Sequence, residues 1–191
     1  MALLIAGLVS FLGVHSVRIW GESLRTSARA RLGENRWKGL YSLLALGGLL
    51  AIIFGYGEAR TQPVVLWALP FWSRHLAALL VLFALVLLAA RPGSRITAAV
   101  RHPMTLGTGI WAAAHLLANG TVADLALFGG FLLWAVLLYP VALRRDARLG
   151  KRYTVAAGWS LDAQAVLGGA LVWAVLTFWG HAKLFGVSPL G

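Results

Sequence analysis

The chain has 191 residues, 60% of them hydrophobic and only 12% charged, so it lacks the polar residues that cover soluble domains, in which about 25% are charged. It has no cysteine, which excludes disulfides, thiolate catalysis, zinc–cysteine sites, iron–sulfur clusters and covalently attached haem. The formal net charge is +11, but the cations flank apolar runs, which is typical of membrane proteins and argues against nucleic-acid binding.

Six apolar runs are long enough to cross a bilayer as helices, which takes about 17–25 residues each. We predict spans at residues 2–17, 39–56, 75–90 and 163–179, and two more within 104–143. The first is expected to stay in the mature protein, because its basic residues follow the apolar run, whereas those of a signal peptide precede it. The stretch 64–72 is too short to cross and contains Pro70, so we predict an interfacial or re-entrant segment there.

Residues 104–143 correspond to about 60 Å of helix, or two bilayer thicknesses. The weak break at Asn119 and Gly120, followed by Asp124, predicts a tight hairpin in which Asn119 and Asp124 cap the helix ends. Glycines recur inside the spans, where small residues let helix backbones approach closely. They are Gly47, Gly48, Gly107, Gly109, Gly129, Gly130, Gly168 and Gly169.

The distribution of cations agrees with six spans. Three loops that six spans place on one side carry 14 of the 17 Lys and Arg residues. The positive-inside rule then puts these loops in the cytoplasm and both termini outside. We therefore predict an all-α, polytopic integral membrane bundle of about six transmembrane helices, forming a single domain over residues 1–191.

Histidines inside apolar runs are functional candidates, because a charged group at membrane depth costs about 2.5–3.5 kcal/mol. His15 and His115 lie inside such runs. His75 and His181 fall at the outer edges of spans, and we interpret both as interfacial residues. His102 precedes Pro103, which suits the first turn of a helix.

His15 and His115 are suited to a shared ligand. By helical rise they lie about 10 and 17 Å from the cytoplasmic face, a difference that a tilt of about 20° can remove. Small neighbours such as Ala114 leave room beside His115 for a flat, bulky partner. Two facing imidazoles could be the axial ligands of a haem iron. The alternative is that each is a buried polar residue hydrogen-bonded to a neighbouring helix.

Cations at the membrane edge extend this candidate site. Arg95 and Arg101 would suit lipid headgroups, haem propionates or a phosphate-like ligand, and charge alone does not choose among them. The predicted cofactor-binding residues are His15, Arg18, Arg101, His102, Trp111 and His115, with His15 and His115 as haem-iron ligands.

Several segments resemble the NnrU family over nearly the whole chain. They are FLGVHSVR at 11–18, KGLYS at 38–42, VRHPMTLG at 100–107, AHLLANG at 114–120, FGGF at 128–131 and GVSP at 186–189. The resemblance implies a link to the expression of nitrite and nitric oxide reductases in denitrifying bacteria, and hence a place in the bacterial inner membrane.

The family is similar to plant 15-cis-zeta-carotene isomerase, a membrane enzyme that carries b-type haem. This similarity implies that His15 and His115 match the histidines that serve its haem. The isomerase has a cysteine, implicated as an alternative ligand, three positions before the second histidine. Here that position is Ala112, so the same ligand switch cannot operate.

A second likeness is to isoprenylcysteine-type membrane methyltransferases, which bind S-adenosylmethionine at the cytoplasmic membrane edge. Residues 101–103 (RHP) followed by 106–107 (LG) look like their cofactor-binding motif. Asp146, Leu149, Gly150 and Tyr153 loosely echo a later segment of those enzymes. Thr105 replaces the usual aromatic residue, and the paired glutamates are missing.

Three functions follow from these observations. The leading hypothesis is a bundle holding b-type haem, acting on a redox-active, small-gas or apolar ligand, with nitric oxide or isomerase-like chemistry implied by resemblance. The first alternative is a methyltransferase-like protein that binds S-adenosylmethionine. The second is a non-catalytic assembly or regulatory factor that acts through partner membrane proteins and holds no cofactor.

Overall fold

A computed structural model describes residues 1–156 and 158–191, without the side chains of residues 18–20. In this part of the chain, β-pairing is limited to one bridge between Val65 and Thr121, so the predicted all-α fold is confirmed. The helices are α1 (Ala2–Trp20), α2 (Glu22–Leu32), α3 (Glu34–Ala59), α4 (Trp72–Ala89), α5 (Arg95–Val100), α6 (Pro103–Ala118), α7 (Val122–Arg148), α8 (Ser160–Val175), a π-helical turn (Leu176–Gly180) and α9 (His181–Phe185).

Four helical segments are long and apolar enough to cross a membrane. They are α3, α4, α7 and the run Ser160–Phe185. A fifth crossing arises if Ala2–Val17 and Glu22–Leu32, which meet at an angle of 86°, count as one bent span. The predicted fourth span corresponds to α6, which has 16 residues and is about 24 Å long. The membrane class is therefore confirmed, while the count of six and the outward-facing termini stay predictions.

Glycines set the closest helix contacts, as predicted for a bundle in lipid. A Cβ added to Gly48 of α3 would lie 2.7 Å from the backbone nitrogen of Phe11 in α1. A Cβ on Gly169 of α8 would lie 2.7 Å from the Cα of Val86 in α4. Added Cβ atoms on Gly47 and Gly168 would meet nothing within 4 Å. One member of each glycine pair therefore faces a neighbouring helix.

The predicted hairpin between α6 and α7 is confirmed. Thr121 caps α7 with a capping box, in which its side chain accepts from the Asp124 backbone and the Asp124 carboxylate accepts from the Thr121 backbone. The chain between α3 and α4 is extended and packs on this turn, where the Gly120 carbonyl accepts from the backbone N–H of Leu66 at 2.7 Å. The predicted short segment is thus a non-helical strap over the hairpin.

At the other end of the bundle, the loops around residues 91–102 and 144–159 interlock; we call this the basic end. Arg95 lies 3.6 Å from the Asp162 carboxylate at the start of α8, and its guanidinium stacks over the Trp159 ring. The Asp162 carboxylate also accepts from the Ile96 backbone N–H at 3.0 Å.

The sequence patterns did not predict two of the helices, the polar α2 and the short α5. They also ended the fifth span at residue 143, whereas α7 continues to Arg148.

Candidate functional site

His15 lies on α1 with its ring against aromatic neighbours. Its Nδ1 pairs with the Phe11 carbonyl one turn earlier, at 2.6 Å. Its ring centroid lies 4.3 Å from that of Phe11 and 5.5 Å from that of Tyr41 on α3. The partner in this hydrogen bond belongs to the same helix, so it is not the interhelical bond considered as the alternative.

His115 on α6 has a closely similar local arrangement. Its Nδ1 pairs with the Trp111 carbonyl at 2.8 Å, again one turn earlier on the same helix. Its ring stacks on Phe128 of α7, with centroids 4.6 Å apart and an interplanar angle of 25°. Ala112 and Ala114 beside it are fully buried, so these small residues pack tightly against neighbours.

The two histidines do not face each other across an open space. A continuous series of ring contacts joins them, running through Phe11, Phe131 and Trp111 with centroid separations of 5.8 and 5.7 Å. By helical rise, His15 lies about 6 Å beyond Phe11 on α1. Phe128, on which His115 stacks, lies about 4.5 Å from Phe131 in the opposite direction on α7, so the two histidines are offset by about 10 Å along the bundle. In this packing the rings of Phe11, Phe131 and Trp111 occupy the region between the two imidazoles.

Two cavities bear on the candidate site, and one of them is a groove between α1 and α7 with a volume of about 590 Å³. Its walls are almost entirely apolar and include Leu12, Gly13, Gly130 and Trp134. Neither cavity is lined by His15 or His115. The side chain of Arg18, which was predicted to belong to the cofactor site, lies outside the described residues.

The second cavity, of about 510 Å³, opens at the basic end. Its lining comes from two distant segments of the chain, one at the end of α5 and the other running from the last turn of α7 into the segment that follows it. The lining residues are Ala98, Arg101, Asp146, Ala147, Gly150, Lys151, Arg152 and Tyr153. The volume falls in the range of about 300–1,000 Å³ that is typical of small-molecule sites.

Asp146 is the centre of the polar cluster in this cavity, and it is only 3% exposed. Its carboxylate accepts from the Arg145 guanidinium at 2.8 Å and from the Tyr153 hydroxyl. The Lys151 ammonium lies 3.0 Å from the same carboxylate, and the His102 Nε2 lies 3.3 Å from it. The ionised form of this buried side chain therefore has a complete set of partners.

Local backbone geometry explains why these residues meet. Gly150 ends the α7 region with φ +60°, a left-handed conformation that favours glycine. The chain then folds back, so that the Lys151 N–H donates to the Asp146 carbonyl at 2.9 Å and Tyr153 reaches the Asp146 side chain. Asp146, Gly150 and Tyr153 are therefore spaced as expected where a helix ends at a glycine and the following chain folds back onto its last turn.

The surroundings also shift the pKa values of the three groups around Asp146 that can gain or lose a proton near it, His102, Lys151 and Tyr153. Burial lowers the pKa of His102 below its ordinary value of 6.5, although the nearby Asp146 carboxylate acts in the opposite direction. The hydrogen bond to Asp146 raises the pKa of Lys151. Burial, followed by the hydrogen bond to Asp146, raises the pKa of Tyr153. At neutral pH the cluster therefore contains a neutral imidazole, a cationic ammonium and a neutral phenol.

The predicted site residues separate into two groups. His15, Trp111 and His115 belong to the aromatic interior, whereas Arg101 and His102 belong to the basic end. Sequence reasoning did not assign Asp146, Lys151, Arg152 or Tyr153 to a binding site. A usable signal was present, because Asp146 is the single acid among five cations in residues 144–152.

Comparison with known proteins identifies the family. The sequence profile of the family described as NnrU protein matches residues 3–189, which is nearly the whole chain. The chain therefore belongs to the NnrU family, as the sequence segments predicted. No curated protein and no solved structure gave a significant match.

Proposed function

We propose that this member of the NnrU family is a membrane protein that binds a small polar cofactor at the basic end, with S-adenosylmethionine as the candidate. One observation carries this proposal. The two segments that resemble methyltransferase motifs, residues 101–107 and 146–153, are distant in sequence but contribute Arg101, Asp146, Gly150 and Tyr153 to a single cavity.

The lining residues suit parts of such a cofactor. The Arg101 guanidinium can donate two hydrogen bonds to the carboxylate of the methionyl group. The Tyr153 ring already contacts a cation in the cavity, the Lys151 ammonium, which lies 4.8 Å from the ring centroid. When bound, the cofactor would supply an electrophilic methyl group. Because Thr105 replaces the usual aromatic residue and the paired glutamates are missing, we propose binding and do not extend the proposal to methyl transfer.

Titration of the detergent-purified full chain with S-adenosylmethionine tests this function. Saturable binding is expected, and Arg101→Gln and His102→Gln are expected to weaken it. Arg31→Gln is a matched control, because it removes an exposed cation from α2, away from the cavity. A flat titration of the unmodified protein would reject the proposal.

Haem b held by His15 and His115 is the second candidate, and it carries the link to nitric oxide that the family resemblance implies. One feature supports it. Each Nδ1 is fixed by a backbone carbonyl, while neither Nε2 bonds to another described residue. Histidines that bind metals usually have this arrangement. Haem could enter only if Phe11, Phe131 and Trp111 moved, so no step of a mechanism is derived from it.

The absorption spectrum of protein expressed with an ample haem supply tests this candidate. A Soret band that is changed by His15→Ala and by His115→Ala, but not by His181→Ala, would support it. His181 is an informative control because its Nδ1 also pairs with a backbone carbonyl, that of Val187, but outside the aromatic interior. A featureless spectrum would count against haem.

We also propose that the basic end faces the cytoplasm of a bacterium, since cations concentrate there. The chain has no cysteine, so single cysteines can report orientation without a modified background. Leu149→Cys lies at the basic end and Thr61→Cys at the opposite end, and both positions are exposed. In intact spheroplasts a membrane-impermeant maleimide is expected to label only Thr61→Cys. Labelling of Leu149→Cys alone would reverse the orientation.

A further inference from the structure

The charges lining the basic-end cavity are not balanced. Arg101, Lys151 and Arg152 contribute three positive charges, against one negative charge from Asp146. That carboxylate is already bound by Lys151 and Arg145, so it does not compensate the two arginines. Within the described chain, neither Arg101 nor Arg152 forms a hydrogen bond or an ion pair with a side chain.

The backbone holds Arg101 in place between two helices. Its φ of +62° makes it the one non-glycine residue with positive φ in the described chain. Such a conformation is unfavourable for a residue with a Cβ, and it persists where the surrounding structure enforces it. The Arg101 N–H donates to the Thr97 carbonyl at 2.7 Å, and α6 begins two residues later. This enforced position is consistent with a fixed ligand contact.

We infer that this cavity binds a phosphate-bearing ligand, with Arg101 and Arg152 as the anion-binding residues. Guanidinium groups bind phosphate oxygens through two parallel charge-assisted hydrogen bonds. The two uncompensated guanidinium groups would attract a di-anionic group such as a phosphate.

This inference uses the same cavity as the proposed function, but it names a different ligand class, so the two can fail separately. The phosphate could belong to a soluble metabolite or to a lipid headgroup, since the cavity lies at the membrane edge. Both sources share the chemistry that Arg101 and Arg152 would recognise. Exposed cations elsewhere, such as Arg31 and Arg36, do not line either cavity and provide a comparison.

The test is calorimetric titration of the full chain, in nanodiscs of neutral phosphatidylcholine, with pyrophosphate as the probe. Saturable binding is expected. Arg101→Gln and Arg152→Gln should each weaken it by about tenfold to a hundredfold, the range for loss of a charge-assisted contact. Arg31→Gln should leave the affinity unchanged. Both substituted side chains are exposed, so neither change is expected to prevent folding. If one variant did not fold, the other would still test the inference.

The possible outcomes separate the hypotheses. Saturable S-adenosylmethionine binding with no pyrophosphate binding would overturn this inference and leave the proposed function standing. Pyrophosphate binding that depends on Arg101 and Arg152, with no response to S-adenosylmethionine, would do the reverse. Equal weakening by Arg31→Gln would also overturn the inference, because it would indicate general charge attraction. If pyrophosphate binds, the same titration in nanodiscs that contain phosphatidic acid identifies the source of the phosphate. Weaker pyrophosphate binding in these nanodiscs would assign the site to a lipid headgroup, and unchanged binding would assign it to a soluble phosphate.

Discussion

Gly48 and Gly47 allow the packing of α1 against α3 to be tested by a matched pair of substitutions. In Gly48→Ala the new methyl group would lie 2.7 Å from the backbone nitrogen of Phe11 and 3.1 Å from its Cα. Neither backbone atom can move without displacing α1. In Gly47→Ala the methyl group would meet nothing within 4 Å. Only the Gly48 change should therefore separate the two helices.

The magnitude follows from what the two variants share. Both replace glycine by alanine inside the same helix, so both gain the same helix propensity, about 0.5–1 kcal/mol. The difference between them isolates the cost of overpacking, about 1–3 kcal/mol. This corresponds to a difference of about 5- to 150-fold in the folding equilibrium constant.

Unfolding in mixed detergent and SDS micelles, followed by tryptophan fluorescence, measures both free energies. We expect Gly47→Ala to unfold at the same or a higher SDS fraction than the unmodified chain, and Gly48→Ala at a lower one. Equal unfolding of the two variants would refute the described packing of α1 on α3, and with it the positions of Phe11 and His15.

Three further predictions concern the two ends of the bundle. Gly120→Ala should cost about 1–3 kcal/mol of unfolding free energy, because its Cβ would lie 2.7 Å from the Trp67 ring. Gly57→Ala is the control and should cost nothing, because its Cβ would meet nothing within 4 Å. Equal costs would contradict the packing of the strap on the hairpin. Asp146→Asn should cost about 1.5–3 kcal/mol in the same assay, the contribution of a hydrogen bond to a charged group, and no loss would mean that its contacts contribute nothing net. Burial lowers the pKa of His102 in the folded chain, so as the pH falls the imidazole is protonated in the unfolded chain before it is protonated in the folded one. The free energy of unfolding should therefore keep its full value above about pH 6.5 and decrease below it. Thermal midpoints measured between about pH 7.5 and 5 should show this decline, and His102→Gln should reduce it; an unchanged slope would be inconsistent with a buried imidazole.

Sequence patterns predicted the parts of the fold that depend on local composition. Apolar runs located the long helices because each must present an apolar surface to lipid. The break at Asn119 and Gly120 located the hairpin, since both residue types favour turns. By contrast, α2 was missed because it is a polar helix without an apolar run. The continuation of α7 to Arg148 was missed because charged residues there resemble a loop.

The candidate site was harder to predict because it depends on contacts between distant residues. Nothing local to Arg101 indicates that it shares a cavity with Arg152. Similarly, the small residues around His115 suggested free space, but those alanines are buried against neighbouring helices and aromatic rings occupy the region between the histidines. Spacing along one helix gives the depth of a side chain, whereas the identity of its neighbours depends on how several helices pack.

The length of α7 affects how a ligand could reach the basic-end cavity. Its 27 residues extend about 40 Å, whereas the hydrocarbon layer is about 30 Å thick. With the N-terminus of α7 at one edge of the hydrocarbon layer, the excess of about 10 Å would place Asp146 and its partners in the headgroup layer on the other side. A water-soluble molecule can therefore arrive and leave by aqueous diffusion, without partitioning into hydrocarbon. Exchange rates at this cavity should then depend on ionic strength and hardly at all on acyl-chain composition.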